Sequence, residues 1–397
     1  MSRAMKDSGV AWIGEIPEGW KTVRFKYLHN GMNTGEGIDK EYWSTDDQDA
    51  IFYTAGLEPI RTNYGDFPKW KYTKASDLLL ARNGTPYVYL PVEGACYTDH
   101  IIRASLKENT IREFIRYSLQ QSIASVVVDS VSLATWSASL WDEQAIAWPP
   151  LPEQSRIAAF LDRRCAEIDR VIAATQSTME EYKKLKQSII TEAVTHGVRG
   201  ERKMKDSGVE WIGEIPEEWS VLELKFLCDM QAGKNLTSEE IAPEGVFPVY
   251  GGNGLRGYYS ACNVNGDYLL VGRQGALCGN VHHVSGEFWA TEHAIITNPS
   301  TLSNIRFLFY LLHGMNLGQY VNNTAAQPGL AVSQIQAVRT CLVPLEEQDE
   351  IAQYLDKKCA EIDRLIEAKQ QLLTQLEAYK KSVIYEYVTG KREVPGE

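Results

Sequence analysis

Two short polar motifs occur twice in the 397-residue sequence, each beside an apolar run that is typical of a β-strand. Arg82-Asn83-Gly84 corresponds to Arg273-Gln274-Gly275, and Thr98-Asp99-His100 corresponds to Thr291-Glu292-His293. Arginine can donate two hydrogen bonds to guanine, Asn or Gln can bind adenine bidentately, and Asp or Glu can accept from cytosine N4. These residue types favour recognition of DNA bases. The alternative, that the histidine motifs hydrogen-bond internally and orient a turn, stays open.

Other polar side chains in loops rich in Gly, Pro and Asn extend this hypothesis to both halves of the chain. The residues that we expect to contact DNA are Arg82, Asn83, Asn63, Lys69 and Lys71 in the first half, and Arg273, Gln274, Asn253, Arg256 and Thr291 in the second.

The motifs of nucleotide-dependent enzymes and metal sites are incomplete in this sequence. Residues 252–257 match GxGxxG by letter, but no helix start follows and no acid lies about 20 residues on, so they indicate a glycine-rich turn. Gly233-Lys234 lacks the other residues of a P-loop, and His282-His283 has no third ligand at a recognisable spacing. Residues 148–151 are not the Asn-Pro-Pro-Tyr-type loop of an adenine methyltransferase. The sequence therefore predicts a non-catalytic chain without a cofactor or metal of its own.

The composition is that of a folded protein in a reducing compartment. Hydrophobic residues make up 44% and charged residues 23%, which excludes a disordered chain. The sequence has no run of eighteen apolar residues and no apolar signal-peptide core. Its seven cysteines are an odd number and form no CxxC pair. We therefore expect a cytoplasmic protein without a disulfide framework.

The net charge of −12 is unusual for a DNA-binding chain, because Lys and Arg contacts to phosphate supply most non-specific affinity. Residues 21–148 hold 13 basic and 16 acidic residues, and residues 220–343 hold 6 and 8. Neither segment is a basic patch in bulk. We expect weak, salt-sensitive DNA binding by the isolated chain, with partner subunits supplying much of the phosphate contact.

The chain is an internal duplication. Residues 5–20 recur at 204–219 with two differences, and PLPEQSRIAAFLDRRCAEIDRVI from Pro150 recurs as PLEEQDEIAQYLDKKCAEIDRLI from Pro344. Between these repeats, residues 21–148 and 220–343 barely resemble each other. This pattern indicates a pseudo-symmetric scaffold that carries two independent modules.

The second repeat predicts a long helix in each half, with Pro152 in the first turn and Gly197 after the last periodic residues. Apolar residues recur at spacings of four and three, as in a coiled coil. The two stripes are Leu161, Cys165, Ile168, Ile172, Thr175, Met179, Tyr182 and Ile189 in the first copy, and Leu355, Cys359, Ile362, Ile366, Leu373, Leu376 and Val383 in the second. Pseudo-two-fold symmetry favours antiparallel pairing of these helices. The alternative is a pair of ordinary core helices in a duplicated enzyme.

The predicted fold class is α+β: two α/β modules separated by a pair of long antiparallel coiled-coil helices. The expected boundaries are 1–149 for the first module with its repeat arm, 150–200 for the first helix, 201–343 for the second module with its arm, and 344–397 for the second helix.

The duplicated WIGEIPEGW/WIGEIPEEW, PLPEQ/PLEEQ and CAEID motifs, with FPVYGGNGLRGYYS and DYLLVGRQG in the second module, resemble those of the specificity subunit of Type I restriction-modification systems. This resemblance covers essentially the whole chain. It implies two target-recognition domains that each read one half of a split double-stranded DNA site, with the paired helices setting the gap.

The resemblance also implies partners: two methyltransferase subunits that use S-adenosylmethionine, and ATP- and Mg-dependent restriction subunits. Trp12, Trp20, Trp211 and Trp219 in the repeat arms are candidates for docking them, although internal packing of the arms explains these tryptophans equally well. Two other functions remain open, namely a symmetric protein-protein scaffold that does not bind DNA and a duplicated enzyme of unknown type.

Overall fold

The structure is a computed structural model that describes residues 3–83, 86–127, 135–274, 278–320 and 329–395. The chain divides into two compact units. The first comprises Met1–Ala174 and Leu372–Glu397, and the second comprises Thr175–Gln371. Each unit therefore contains one module together with part of both long helices.

Within the described residues the chain forms two long α-helices and four shorter ones. They are α1 (Arg112–Val127), α2 (Ala138–Asp142), α3 (Leu151–His196), α4 (Ile305–Gly314), α5 (Val332–Gln336) and α6 (Leu345–Val388). As predicted, Pro152 lies in the first turn of α3, where its missing N–H leaves no helical hydrogen bond unmade. Gly197 follows the last turn with φ of +79°, a left-handed conformation that favours glycine.

The first unit contains a hairpin arm, a strand pair and two four-stranded sheets. Its strands are β1 (Met5–Asp7), β2 (Glu15–Pro17), β3 (Lys21–Arg24), β4 (His29–Thr34), β5 (Trp43–Ser44), β6 (Ala50–Tyr53), β7 (Ile60–Thr62), β8 (Asp77–Ala81), β9 (Val88–Tyr89), β10 (Cys96–Tyr97), β11 (Ile101–Leu106) and β12 (Ala145–Trp148). The arm pairs β1 with β2, and β3 pairs with β12. The sheets have the orders β4-β11-β8-β9 and β10-β6-β7-β5, with β10 and β6 parallel.

The second unit repeats this plan with a larger sheet. Its strands are β13 (Met204–Asp206), β14 (Glu214–Pro216), β15 (Ser220–Glu223), β16 (Cys228–Ala232), β17 (Phe247–Gly251), β18 (Gly254–Tyr259), β19 (Val264–Gly272), β20 (Val281–Ala290), β21 (Ala294–Pro299) and β22 (Arg339–Leu342). The sheet order is β16-β21-β19-β20-β17-β18. Its β16-β21-β19 part matches β4-β11-β8 of the first unit, so the two modules share a core topology despite their divergent sequences.

The long helices are paired antiparallel inside the first unit. Phe160 of α3 stacks on Tyr387 of α6 with ring centroids 4.5 Å apart, and Lys380 of α6 donates to Asp169 of α3 at 2.6 Å. Leu161 is fully buried in the same apolar cluster as Val383. Residue numbers rise along one helix as they fall along the other, which is antiparallel pairing.

The second unit contains the equivalent contacts. Lys186 of α3 donates to Asp363 of α6 at 2.7 Å, the repeat counterpart of the Lys380–Asp169 pair. Ile190 and Leu355 are buried in one cluster. Ile189, which the heptad pattern predicted, is partly buried against this cluster, and its neighbour Ile190 is buried within it.

A glutamate, half-buried in the first unit and buried in the second, joins each repeat arm to a long helix. In the first unit, Trp20 donates its indole N–H to Glu153 at 2.9 Å, and Arg3 pairs with the same carboxylate at 2.7 Å. In the second, Trp219 donates to Glu347 at 3.0 Å, and Arg202 pairs with that carboxylate at 2.5 Å. The glutamate of each PL-x-EQ motif is therefore a structural residue.

The predicted fold class is confirmed: two modules that mix helices and sheets accompany long, antiparallel paired helices. Among the described helices, none is long and apolar enough to cross a membrane.

Candidate nucleic-acid interface

In the first unit, the two polar motifs are brought together at the end of β8. The Arg82 backbone N–H donates to the carbonyl of His100 at 2.8 Å, which extends the β8–β11 pairing by one step. Nδ2 of Asn83 lies 2.7 Å from Nδ1 of His100. The backbone N–H of Trp136 donates to the Arg82 carbonyl at 2.7 Å. The Arg82-Asn83 motif is thus hydrogen-bonded to His100 on one side and to Trp136 on the other.

The second unit builds the same arrangement from different residues. The Arg273 N–H donates to the carbonyl of His293 at 2.8 Å, and Oε1 of Gln274 lies 2.8 Å from Nδ1 of His293. The backbone N–H of Leu330 donates to the Arg273 carbonyl at 2.9 Å, in the role of Trp136. Both units therefore present an arginine followed by a carboxamide that is bonded to an imidazole.

The threonine of each histidine motif holds a turn. The N–H of Thr98 donates to Tyr53 at 3.0 Å, and the N–H of Thr291 donates to Tyr250 at 2.9 Å. The Thr291 side chain is 0% exposed, and its hydroxyl has no hydrogen-bond partner among the described residues. Of the residues expected to contact DNA, Thr291 is therefore not at the surface.

The two motif arginines are available to a ligand to different degrees. Arg82 is exposed and Arg273 is half-buried. Among the residues that the structure describes, neither guanidinium makes an ion pair. The glycines that complete the two motifs, Gly84 and Gly275, lie outside the described residues.

The other polar candidates of the first module lie on one loop system. Asn63 follows β7 and is exposed, and its N–H donates to Tyr42 at 3.1 Å. Lys69 and Lys71 bound a short 3₁₀ helix, with Lys69 exposed and Lys71 paired with Glu36 at 2.5 Å. Lys71 is therefore partly neutralised by an acid of its own module.

A buried arginine fixes this 3₁₀ helix. One guanidinium nitrogen of Arg103, on β11, donates to the carbonyls of Trp70, Lys71 and Tyr72 at 3.1, 2.8 and 2.8 Å. Its Nε lies 3.7 Å from the buried carboxylate of Asp77. The Trp70 backbone is thus held in this turn, and its side chain is 64% exposed.

The glycine-rich stretch of the second module is a β-turn between β17 and β18, as its sequence predicts. Gly254 has φ of +93°, and Asn253 and Arg256 are exposed. The Arg256 guanidinium donates to the Ser238 hydroxyl at 3.3 Å. His282 lies against Gly254, and burial lowers the pKa of its imidazole, which favours the neutral ring.

Sequence reasoning missed Trp43, Trp70 and Arg103. The two tryptophans are large exposed aromatic side chains beside Lys40 and Lys71, whose amines lie 5.6 and 5.3 Å from the respective ring centroids. Aromatic residues interleaved with lysines are a sequence signal that could have identified this surface.

The four arm tryptophans differ in exposure. Trp20 and Trp219 are 2% and 1% exposed and serve the glutamate contacts described above. Trp12 and Trp211 are half-buried, and their indole N–H groups donate to backbone carbonyls of Ala145 and Arg339. Of the four, Trp12 and Trp211 therefore leave part of their rings exposed to solvent.

The described residues contain no group of three or more His, Cys, Asp or Glu side chains placed to hold a metal ion. The two modules differ in sequence but share one hydrogen-bonding motif, and each accompanies a pair of long helix segments. This arrangement is that of a duplicated recognition protein.

Comparison with known proteins identifies the kind of recognition. The profile of the Type I restriction modification DNA specificity domain matches residues 216–378. The specificity subunit of the Type I restriction enzyme EcoprrI from Escherichia coli is 42% identical over 135 residues, which are 33% of each chain. That of the Type I restriction enzyme MjaVIII from Methanocaldococcus jannaschii is 26% identical over 96% of this chain and 94% of its own.

The fold agrees with these relatives. A chain from a structure concerned with complex assembly and conformational transition of the Type I R-M system aligns with a TM-score of 0.67. The alignment has 16% sequence identity and covers 95% of this chain and 99% of that chain. The chain is thus similar over nearly its whole length to a Type I restriction enzyme specificity subunit, and over residues 216–378 to the DNA specificity domain. These relatives are named specificity subunits, the class of protein that the sequence motifs predict.

Proposed function

We propose that the two modules each read one half of a bipartite double-stranded DNA site. The first module with its arm occupies residues 1–149 and the second occupies residues 201–343, with the helix segments 150–200 and 344–397 setting the unread gap. The observation that carries this proposal is the recurrence of one motif geometry, Arg82-Asn83-His100 and Arg273-Gln274-His293, in modules of unlike sequence.

Base chemistry supports the assignment. The motif arginines and carboxamides are the side chains best suited to bidentate contacts with guanine and adenine. Asn63, Lys69, Asn253 and Arg256 would contact DNA around them, since all four are exposed. Lys71 would contact DNA through the N–H groups of its amine that do not bind Glu36. Thr291 is buried and would instead support the turn that carries His293.

We propose that two copies of a methyltransferase subunit dock on repeated surfaces. Exposed apolar residues recur at equivalent repeat positions, namely Tyr27 with Phe226 and Leu151 with Leu345. The amines of Lys26 and Lys225 lie 5.5 and 5.1 Å from the rings of Tyr27 and Phe226. Matched patches of this kind suit two copies of one partner. Trp12 and Trp211 would add their exposed edges.

In this proposal the cofactors belong to the partners. S-adenosylmethionine would bind the methyltransferase subunits, and ATP and Mg would bind restriction subunits that join the complex. The complex would act in the cytoplasm, where its DNA substrate lies.

The test is co-expression of this chain with its methyltransferase subunit, followed by genome-wide mapping of methylated adenines. We expect a bipartite motif with an unread gap of fixed length. The matched control is the methyltransferase subunit expressed alone, which should methylate no defined motif. A single continuous motif, or methylation that does not depend on this chain, would contradict the proposal.

A further inference from the structure

We propose that His100 and His293 are positioning residues for base recognition, each fixing the neighbouring carboxamide of Asn83 or Gln274 in the orientation that reads an adenine. This inference rests on the proposed function and deepens it. It assigns a role to two residues that the base-contact chemistry alone leaves out.

The geometry places each imidazole where it can set the carboxamide. In both units a backbone hydrogen bond of 2.8 Å from the arginine N–H to the histidine carbonyl fixes the two chain segments side by side. The carboxamide and imidazole then meet at 2.7 Å in the first unit and 2.8 Å in the second. In both units a carboxamide meets Nδ1 of an imidazole, through the amide nitrogen of Asn83 in the first and through the amide oxygen of Gln274 in the second.

The histidine of the second unit is itself held by an acid. Nε2 of His293 lies 3.2 Å from Oε1 of Glu292, while its Nδ1 faces Gln274. Carboxylate, imidazole and carboxamide thus lie in line, with one ring nitrogen near each neighbour. In the first unit the corresponding acid, Asp99, accepts from the Thr98 hydroxyl at 2.8 Å and braces the turn that carries His100.

The anchored carboxamide keeps its capacity to bind a base. An amide oxygen has two lone pairs and an amide nitrogen has two hydrogens, so one contact with imidazole leaves an acceptor and a donor for adenine N6 and N7. A free Gln or Asn samples several rotamers and loses that freedom on binding, whereas an anchored one is already ordered. The imidazole therefore contributes to specificity without touching DNA.

Asn83 occupies the carboxamide position in one module and Gln274 occupies it in the other. The acid beside each histidine differs in length in the same way, with Asp99 in the first module and Glu292 in the second. Two modules that otherwise barely resemble each other both pair a carboxamide with a histidine, with side chains of different length and different amide atoms facing the ring. A contact needed only for folding would not require a carboxamide at the exposed end of a strand.

The experiment uses this chain in complex with its methyltransferase subunit and maps methylated motifs for His293→Leu, His293→Asn, His100→Leu and His100→Asn. Leucine removes the hydrogen bond, whereas asparagine places an amide atom close to the former Nδ1. We expect each leucine variant to lose roughly tenfold or more of its preference at one A·T base pair of one half-site, since this is the scale of a bidentate base contact. The other half-site should be unchanged, and the asparagine variants should retain the original motif.

The two units serve as controls for each other, because a His293 variant should alter one half-site and a His100 variant the other. A leucine variant that methylates the unaltered motif would overturn the inference. So would a uniform loss of methylation at all sites without any change of motif, which is what a purely structural role predicts. If the unsubstituted complex showed no bipartite motif, the proposed function itself would fail, a result distinct from both.

Discussion

Glu347 is a buried charged residue whose loss we expect to destabilise the second unit. Its side chain is 1% exposed, and it accepts the Trp219 indole N–H while pairing with Arg202. Replacing it with alanine leaves the Trp219 indole N–H without its acceptor and removes one of the two carboxylates that pair with Arg202. We expect Glu347→Ala to lower the free energy of unfolding by about 2–4 kcal/mol, measured as a shift of the urea midpoint.

Two matched variants separate this effect from a general loss of charge. Glu346→Ala removes an exposed carboxylate one residue away and should change stability by less than about 0.5 kcal/mol. Glu153→Ala removes the equivalent contact in the first unit, where the carboxylate side chain is 22% exposed, so its cost should be smaller than that of Glu347→Ala. Equal effects of Glu346→Ala and Glu347→Ala would refute the role assigned to the buried carboxylate.

His313 makes the second unit sensitive to acid. It lies on α4 beside a cavity of about 490 Å³ that is also lined by Lys186 and Cys359. Burial, with a smaller contribution from the charge of Lys186, lowers the pKa of His313 from 6.5 to about 4. Between these values the unfolded chain binds the proton and the folded chain does not, so stability is complete above pH 6.5 and falls as the pH drops towards 4.

The full effect is about 3 kcal/mol, from the size of the pKa difference. Urea unfolding of the chain and of His313→Gln between pH 7 and pH 4 measures it. The variant should lose this part of the pH dependence. An identical pH profile for both proteins would show that His313 does not titrate as its burial implies.

At the scale of elements, apolar contacts rather than ion pairs should hold the long helices together. Leu355 is fully buried, whereas the Lys186–Asp363 pair has side chains 30% and 56% exposed. We expect Leu355→Ala to cost about 2–5 kcal/mol by leaving a cavity, and Asp363→Asn to cost about 1 kcal/mol or less. Urea unfolding of the two variants measures both losses of stability. A larger loss for Asp363→Asn than for Leu355→Ala would contradict the expectation.

The long helices could be predicted from sequence because their signals are local. A sustained heptad pattern, a proline in the first turn and Gly197 at the end define them with little help from the rest of the chain. The second sheet of the first module, β10-β6-β7-β5, could not be predicted in the same way. Its strands have two to four residues each and pair parallel and antiparallel across long separations, so no periodicity reveals them.

The candidate site was predictable in its residue types and not in its contacts. The correspondence of Arg82-Asn83 with Arg273-Gln274 is visible because the duplication aligns them. That Asn83 contacts His100 follows only from the pairing of β8 with β11. Arg103 lies in an apolar strand, and nothing local indicates that it caps carbonyls more than thirty residues away.

At the scale of the whole molecule, charge should make the chain a weak DNA binder by itself. A net charge of −12 and acidic modules leave few cations for phosphate. We expect the isolated chain to bind a duplex of its own site roughly tenfold or more weakly than the assembled complex, with affinity falling steeply as salt rises. Gel-shift titrations at two salt concentrations measure this, and equal affinities for the chain and the complex would contradict it.

The independence of the two modules is tested most directly by exchanging one of them. Residues 21–148 are replaced by the corresponding module of a relative with a different target, and methylated adenines are mapped in cells that also express the methyltransferase subunit. We expect one half of the bipartite motif to change while the other half and the gap stay the same. A change in both halves, or in neither, would contradict it.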